Sequence, residues 1–267
     1  MKSLTATMFA ALLPLAFCLP ATAHESPDPS IKHNARDGKV RLYGAGGPDT
    51  AFKKVAEVFH KETGIDVEIT TGPEATWSKK AQADADILWG TAEQDITAFL
   101  QTYKDFSSDK VMPIYIRPAI IAVKKGNPKG IHGFEDLLKD GMRIVVTEGA
   151  GIVNTSGTGV WEDVAGRAGK IEDIKRFRKN IVASGLGSGA AYKAFLDQNA
   201  DAWLTWPDWP ITHSDQADFV ALSDQRTIWR DVNVVLAPDA DPQAQQFINF
   251  LTSDRGAEIM KTEGWIR

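Results

Sequence analysis

The sequence predicts an α/β protein of two lobes, each a mostly parallel sheet flanked by helices, with a ligand cleft between them. Short apolar strands alternate with amphipathic helices along most of the chain, and this alternation is typical of parallel sheets covered by helices on both faces. The alternation restarts after a long apolar run near residues 114–123. A second run near 228–236 precedes two amphipathic helices. We therefore expect the chain to cross between the lobes twice.

The start of the chain predicts export. Lys2 precedes a short apolar run, and the tripeptide ATA at 21–23 has the spacing of a signal-peptide cleavage site. We expect cleavage after Ala23 rather than lipidation of Cys18, because the bulky Phe17 fits a lipidation site poorly. The predicted location is the periplasm. The remaining 267 − 23 = 244 residues contain no cysteine, and a chain of this length can be stabilised by its core, since ~70–75% of its unfolded surface is buried on folding.

A polar, proline-bearing lead at 24–38 precedes the first predicted lobe, which comprises residues 39–116 and the tail 232–267. In the first helix, Phe52 and Phe59 recur at helical spacing and Gly64 provides the stop. The elements expected in order are strand 39–44, helix 47–64, strand 65–72, a helix near 76–83, strand 85–90 and a helix near 92–103.

The second predicted lobe covers residues 117–231. Its strands are apolar runs, and its helices begin after polar or glycine-bearing segments. The expected elements are helix 133–139, strand 142–149, helices near 158–168 and 171–179, strand 180–184, helix 188–198 and strand 201–206. The strand 227–238 then leads back, and two helices follow from Asp241.

The charge of the chain argues against polyanionic partners. After removal of the leader, 29 Lys and Arg (30 minus Lys2) face 35 Asp and Glu, a net charge of −6. The basic residues are scattered rather than arranged in a stripe, so neither nucleic acid nor an anionic membrane surface is an expected partner. A bound anion would have to be held by local geometry.

Two loops have the composition of an anion-binding turn. Gly46 and Gly47 follow the first strand and open the first helix, where backbone N–H groups and the helix N-terminus can approach an anion; a tight turn explains the same glycines. The stretch NTSGTG contains Thr155, Ser156, Gly157 and Thr158 before another helix. One hydroxyl suffices to cap a helix, and three hydroxyls here favour ligand contact.

Five further residues are candidates for the same cleft, since loops at the carboxyl ends of parallel strands face the ligand crevice. Each also has a structural interpretation. The threonines and the serine are equally suited to capping a helix, the arginine to an interlobe salt bridge, and the aspartate to a cap or a ligand hydroxyl. These residues are Thr76, Thr91, Arg117, Ser188 and Asp208.

The usual parts of a catalytic or metal site are missing from the sequence pattern. No serine stands in G-x-S-x-G, and no cysteine follows the leader. The five histidines are scattered, without the spacing of metal ligands. We therefore predict a binding protein rather than an enzyme, with no cofactor and no metal.

Several motifs together resemble the accessory colonization factor (AcfC) family. They are GAGGPDTA, GPEATW, ADILWG, IYIRPAIIAVKKGNP, EGAGIVNTSGTGVWED and DAWLTWPDW, and the similarity extends from about Val40 to Trp265. The resemblance implies the type II fold of periplasmic solute-binding proteins and a small phosphorylated or carboxylated anion as ligand. It also implies a homodimer, and solute capture, chemoreception or colonization as the role. The implied anion-binding residues are Thr155, Ser156, Gly157 and Thr158, with Thr76 and Arg117 as partners.

One segment departs from that family. The family pattern N-S-G-S-A-R is replaced by GSGAAY, so Gly187, Ala190 and Tyr192 stand where Asn, Ser and Arg are expected. A less charged anion, or a ligand part that stacks on Tyr192, fits this change. The function predicted is thus capture of a small anion, for a membrane permease or a chemoreceptor. A sulfate- or molybdate-type oxyanion receptor, a surface adhesin and an exported phosphate-transferring enzyme are the alternatives.

Overall fold

A computed structural model describes residues 25–44, 46–149 and 156–267. The predicted signal peptide with its cleavage site, Cys18 and Thr155 lie outside the described residues. Among the residues that are described, no helix is both long and apolar enough to span a membrane.

The first sheet has five strands in the order β2-β1-β3-β10-β4. Strand β1 pairs in parallel with β2 and β3, whereas β10 runs antiparallel to β3 and β4. The last strand thus returns from the far part of the chain into the middle of this sheet. The bounds are β1 Val40–Gly44, β2 Val67–Thr71, β3 Ile87–Gly90, β4 Met112–Pro118 and β10 Trp229–Leu236.

The second sheet also has five strands, in the order β7-β6-β8-β5-β9. Strand β6 is parallel to β7 and β8, and β5 is antiparallel to β8 and β9. The bounds are β5 Ile120–Lys124, β6 Ile144–Glu148, β7 Ile181–Leu186, β8 Ala202–Thr205 and β9 Ala217–Ala221.

The chain passes from the first sheet to the second through one residue, Ala119, because β4 ends at Pro118 and β5 begins at Ile120. It returns between β9 and β10. We call the first sheet with its helices the first lobe and the second sheet with its helices the second lobe. The predicted lobe limits at 116/117 and 231/232 fall inside β4 and β10, and the limits of independent domains remain a prediction.

Helices cover both faces of each sheet, as the two-lobe α/β fold requires. In the first lobe α1, α9 and α10 pack on one face, and α2 and α3 on the other. The helices are α1 Asp49–Thr63, α2 Ser78–Asp84, α3 Glu93–Thr102, α4 Phe134–Leu137, α5 Val160–Gly166, α6 Ile171–Lys179, α7 Ser188–Asp197, α8 Asp208–Thr212, α9 Pro242–Leu251 and α10 Asp254–Thr262.

Helix α1 shows how the local sequence specifies its element. Phe52, Val55 and Phe59 lie on one buried stripe that packs against Phe247 of α9. Burying each of these large side chains stabilises the fold by roughly 1.5–3 kcal/mol. The helix ends at Gly64, whose φ of 75° is the left-handed conformation of a helix C-cap.

The elements differ from the sequence prediction in four places. The apolar run near 114–123, expected as a passage between the lobes, forms strands β4 and β5. The helix expected at 133–139 is a single turn, Phe134–Leu137. Helix α8 and strand β9 are not predicted, because α8 is five residues long with a proline inside it and β9 is a five-residue strand. The two sheets are also mixed, since β5 and β10, which follow the passages between the sheets, run against their neighbours.

Candidate functional site

The candidate residues lie where the two lobes meet. Arg117 occupies the next-to-last position of β4, at the passage from the first lobe to the second. Gly47 lies between β1 and α1 of the first lobe. Ser156 lies between β6 and α5, and Asp208 begins α8, both in the second lobe. Strand ends and helix starts from both lobes thus face one point, as expected for this fold class.

The guanidinium of Arg117 joins the two lobes. Its Nη1 donates to Asp208 Oδ1 at 2.5 Å, and its Nη2 donates to Ser156 Oγ at 3.0 Å. Only 1% of Arg117 is exposed. Arg117 therefore makes the interlobe salt bridge of the structural interpretation, and it also reaches the hydroxyl of Ser156 in the NTSGTG stretch. Its contact with a ligand stays a prediction.

Two tryptophans hold this guanidinium. The Cζ atom of Arg117 lies 4.8 Å from the ring centroid of Trp206 and 4.3 Å from that of Trp265. A desolvated cation–π contact of this kind contributes about 2 kcal/mol. Both rings are buried, and their Nε1 atoms, like Nε of Arg117, have no hydrogen-bond partner within the described part of the chain.

Trp265 is a residue of this candidate site that the sequence analysis missed. It follows the last helix of the first lobe, far along the chain from Arg117. The segment is locked onto β4 by paired backbone hydrogen bonds between Ile266 and Ile116, at 2.7 and 2.8 Å. No local pattern reveals this contact, because a single tryptophan after an amphipathic helix predicts only a buried core residue.

Gly47 makes room for Arg117. Its φ is 73°, and a Cβ placed there would lie 2.8 Å from Cγ2 of Thr91 and 3.2 Å from Nη2 of Arg117. Any side chain would therefore press on the guanidinium. Gly47 thus allows the backbone to lie close to Arg117 and Thr91, and its approach to a ligand stays a prediction.

In the second lobe, Gly157 also lies too close to neighbouring side chains to carry a side chain of its own without displacing them. A Cβ there would lie 3.2 Å from Ser188 Oγ and 3.2 Å from Cγ2 of Thr147. The NTSGTG stretch therefore approaches the start of α7 closely, and Ser156, Gly157 and Ser188 form one group. Thr147, also missed from the sequence, is held by the indole N–H of Trp203, which donates to its Oγ1 at 3.1 Å.

Three predicted residues have other partners or positions. Thr91 lies beside Gly47, but its hydroxyl donates to Asp95 Oδ2 at 2.6 Å, so it supports the start of α3. Thr76 is exposed and donates to the carbonyl of Pro73 at 2.7 Å. The carbonyl of Gly46 accepts from Nε1 of Trp89 at 3.4 Å. None of these contacts reaches Arg117.

Two other residues named in the sequence analysis lie in the second lobe. Thr158 is half-buried, two residues before the start of α5. Tyr192 packs its ring on His213, with centroids 4.2 Å apart, and donates its hydroxyl to Gln216. Where the family pattern has an arginine, this chain thus has Tyr192, which belongs to an aromatic cluster that also includes Trp209.

The site has one buried cation and several carboxylates. Burial lowers the pKa of Arg117, whereas the nearby carboxylates of Asp208 and Asp95 raise it. Arginine remains protonated in proteins. Burial raises the pKa of the Asp208 carboxyl. The charge of Arg117 lowers this pKa, and the charge of Asp49 raises it. The Arg117–Asp208 pair is therefore close to neutral as a unit.

The donor groups suit an anion. Guanidinium N–H groups, the hydroxyls of Ser156 and Ser188 and a close backbone approach at Gly157 are the groups that bind carboxylates and phosphates. Within 25–44, 46–149 and 156–267, no group of three or more His, Cys, Asp or Glu side chains is placed to hold a metal ion.

A comparison with protein families identifies the chain. The family described as bacterial extracellular solute-binding protein matches residues 40–266. The chain belongs to this family. The match spans both lobes, so the two-lobe fold is that of a solute-binding protein.

Solved structures agree with this assignment. PEB3 from Campylobacter jejuni is 45% identical over 86% of this chain and 100% of that chain, with a TM-score of 0.80. The same protein has been crystallised with L-phospholactate bound. The sulfate-binding protein SubI from Mycobacterium tuberculosis has a TM-score of 0.67 over 86% of each chain, but at 18% identity it shows the fold alone.

A curated relative is the thiosulfate-binding protein of Pseudomonas aeruginosa, 26% identical over 166 residues. The matched stretch is 52% of this chain and 47% of that protein, so it spans about half of each. These similarities confirm the resemblance to exported solute-binding proteins that the sequence motifs indicate.

Proposed function

We propose that this solute-binding protein captures a small organic anion, phosphorylated or carboxylated, between its lobes. The observation that supports the proposal best is the position of Arg117. This cation of the first lobe donates to Ser156 of the second lobe while almost fully buried. A ligand oxygen placed at these donors would be bound by both lobes at once.

The proposed ligand-binding residues are Arg117, Ser156, Gly157 and Ser188, with Gly47 providing space. Thr155 and Thr158 belong to the same stretch and are included in the proposal. Five or six hydrogen bonds of about 1.5 kcal/mol each would supply about 8–9 kcal/mol. That free energy corresponds to a dissociation constant around micromolar, which suits a scavenging receptor.

The ligand class is supported by the similarity to PEB3, whose complex contains L-phospholactate. At 45% identity over the whole of that chain, a related organic acid is the natural first candidate. Tyr192 and the aromatic cluster around it would make the ligand-facing surface less cationic than the family motif implies.

The finer parts of the role belong to the same proposal. The protein would be exported by cleavage after Ala23 and would bind its ligand without chemical turnover. It would deliver the ligand to a membrane permease or a chemoreceptor, and it would act as a homodimer.

A second candidate is an inorganic oxyanion receptor. The similarity to a thiosulfate-binding protein favours it. The buried guanidinium favours the organic anion, because neutral hydroxyls and backbone N–H groups alone would suffice for a sulfate-type ligand.

A thermal-shift screen tests the proposal. Purified protein is heated with carboxylates, phosphate esters and inorganic oxyanions. A ligand at one hundred times its dissociation constant should stabilise the fold by about 2.7 kcal/mol through mass action. Ser156→Leu should remove the shift while leaving the unliganded melting temperature within a few degrees.

The matched control is Ser223→Leu, a serine of the second lobe on the loop between β9 and β10, which should keep the shift. Absence of a shift with every anion of the screen would contradict an anion receptor. Hydrolysis of a phosphate ester would instead establish an enzyme.

A further inference from the structure

The charges around Arg117 carry information about the ligand beyond its being an anion. The guanidinium of Arg117 is bound to Asp208 at 2.5 Å and interacts electrostatically with Asp95, while Asp49 acts on the Asp208 carboxyl. Asp95 starts from α3, Asp49 from α1 and Asp208 from α8. Acidic groups therefore approach the site from both lobes.

Other charges near these residues do not change that balance. Lys53 is bound to Asp49 at 3.0 Å and is half-exposed, so solvent screens it. Glu148, at the end of β6, accepts from the indole N–H of Trp161 at 2.8 Å. Arg230 lies opposite Arg117 in the register of β10 and β4, but it is bound to Asp163 at 2.8 Å, and the hydroxyl of Ser156 beside Arg117 is neutral.

A ligand oxygen that accepts from Arg117 Nη2 and Ser156 Oγ would lie close to Asp208. The two terminal nitrogens belong to one planar guanidinium, and Asp208 is already bound to the other. The ligand and the carboxylate would be within roughly 4–6 Å, where like charges act strongly on one another. For an anion with acceptor oxygens only, this repulsion would offset part of its attraction to the guanidinium of Arg117.

An anion with an O–H group meets a different situation. A hydroxyl on the ligand can donate to the carboxylate of Asp208, which in its ionised form is an acceptor and not a donor. A charge-assisted O–H···O⁻ bond is among the stronger hydrogen bonds in proteins. The same carboxylate then attracts the ligand instead of repelling it.

We infer that the cleft selects an anion that carries a proton donor, on the anionic group itself or on a neighbouring carbon, and that Asp208 is the residue that reads it. Hydrogen phosphate, a monoprotonated phosphate ester and a hydroxy acid belong to this class; sulfate, thiosulfate and simple carboxylates do not. The inference rests on the proposed anion-receptor function and specifies its ligand.

Two matched pairs of anions test the inference by titration calorimetry at neutral pH. Phosphate and sulfate share a tetrahedral shape, but only phosphate retains a proton. Lactate and propanoate differ only in a hydroxyl. We expect the donor member of any pair that binds to bind at least about thirtyfold more tightly, since the other member leaves the buried carboxylate of Asp208 without a hydrogen bond from the ligand.

The variant Asp208→Asn tests whether Asp208 is the residue that causes the difference in affinity within each pair. Its amide can donate to an acceptor-only anion, so the ratio within each pair should fall to within about threefold. Asp140→Asn, which removes a carboxylate from an exposed pair with Lys179, is the control and should keep the full ratio. If Asp208→Asn does not fold, the wild-type pairs still decide the inference.

Equal affinity within the pairs, or binding confined to anions without a proton donor across the wider screen, would overturn the inference and leave the receptor function standing. An unchanged ratio in folded Asp208→Asn would overturn the role of this residue. No binding by any anion would instead contradict the proposed function, on which the inference depends.

Discussion

The two lobes contribute different chemistry to the cleft. The first lobe supplies the cation, on a strand: Arg117 extends from β4 and is held between aromatic rings. The second lobe supplies neutral hydroxyls and close backbone at Ser156, Gly157 and Ser188, on loops and a helix start. Asp208 is the second lobe's charged contribution, and it is bound to the first lobe's arginine.

This difference indicates how the site is organised. A charge that must stay buried is placed on the more rigid element and enclosed by Trp206 and Trp265. The groups that would contact the proposed ligand lie on segments between strands and helices, where the backbone can approach closely. Fixing the cation in advance lowers the entropy lost on binding.

The largest expected effect comes from removing the cation. Arg117→Met leaves Asp208 buried and unpaired, which should lower the free energy of unfolding by about 3–5 kcal/mol. Binding should be lost as well. Urea unfolding followed by tryptophan fluorescence measures the stability.

The double variant Arg117→Met with Asp208→Asn separates the two losses. It has no unpaired charge, so much of the stability should return while binding stays lost. Equal stability of the single and double variants would show that Asp208 is not the partner that makes Arg117 necessary.

The next effect concerns the ring behind the cation. Trp265→Leu leaves a cavity against Arg117 and should cost about 2–4 kcal/mol of stability, with a roughly tenfold weaker ligand. Trp265→Phe keeps an aromatic face and should retain affinity within about threefold. Trp229→Leu, a tryptophan that is 45% exposed, is the control; a similar loss there would point to a general effect of replacing tryptophan.

A smaller effect is expected at Gly47. An alanine there would hold a strained positive φ, which costs about 1 kcal/mol, and would press on Arg117 and Thr91. Affinity should fall at least about tenfold in calorimetry. Gly141→Ala has a φ of 83° and nothing within 4 Å of the added Cβ, so it isolates the backbone cost and should leave binding unchanged.

The smallest effect lies away from the cleft, in the first lobe. Burial raises the pKa of Asp86 to about 6, although backbone N–H groups of Asp241 and Arg41 donate to it. Since this folded-state pKa lies above the ordinary 3.8, its contribution to stability is complete below about pH 4 and is lost as the pH rises through 6.

Asp86→Asn should therefore flatten the pH dependence of the melting temperature between pH 4 and 6. A variant with an unchanged slope would show that the backbone hydrogen bonds outweigh burial at this carboxylate. Asp231→Asn, a half-buried aspartate of the same lobe, serves as the control.

Much of the fold follows from local pattern. The stripe of Phe52, Val55 and Phe59 with Gly64 behind it predicts α1, and the structure confirms it. The short α8 and β9 escape such an analysis, because five residues carry too little periodicity and Pro210 argues against a helix.

The site divides in the same way. Composition alone points to Gly47, Arg117, Ser156, Gly157, Ser188 and Asp208, since small, hydroxyl and charged residues follow strands or open helices there. The structure brings Arg117 to Ser156 and Asp208 and gives Thr76 and Thr91 local partners instead. A threonine that begins a helix has the same local sequence whether it caps the helix or binds a ligand.

By itself, the sequence determined the class of the fold, the order of most elements and the family, because strand and helix periodicity and motif spacing are properties of neighbouring residues. Only the tertiary structure decided which cation faces which carboxylate, and that Trp265 encloses Arg117. Those contacts join residues that are distant along the chain. They depend on how two sheets and a returning tail pack, which no local pattern specifies.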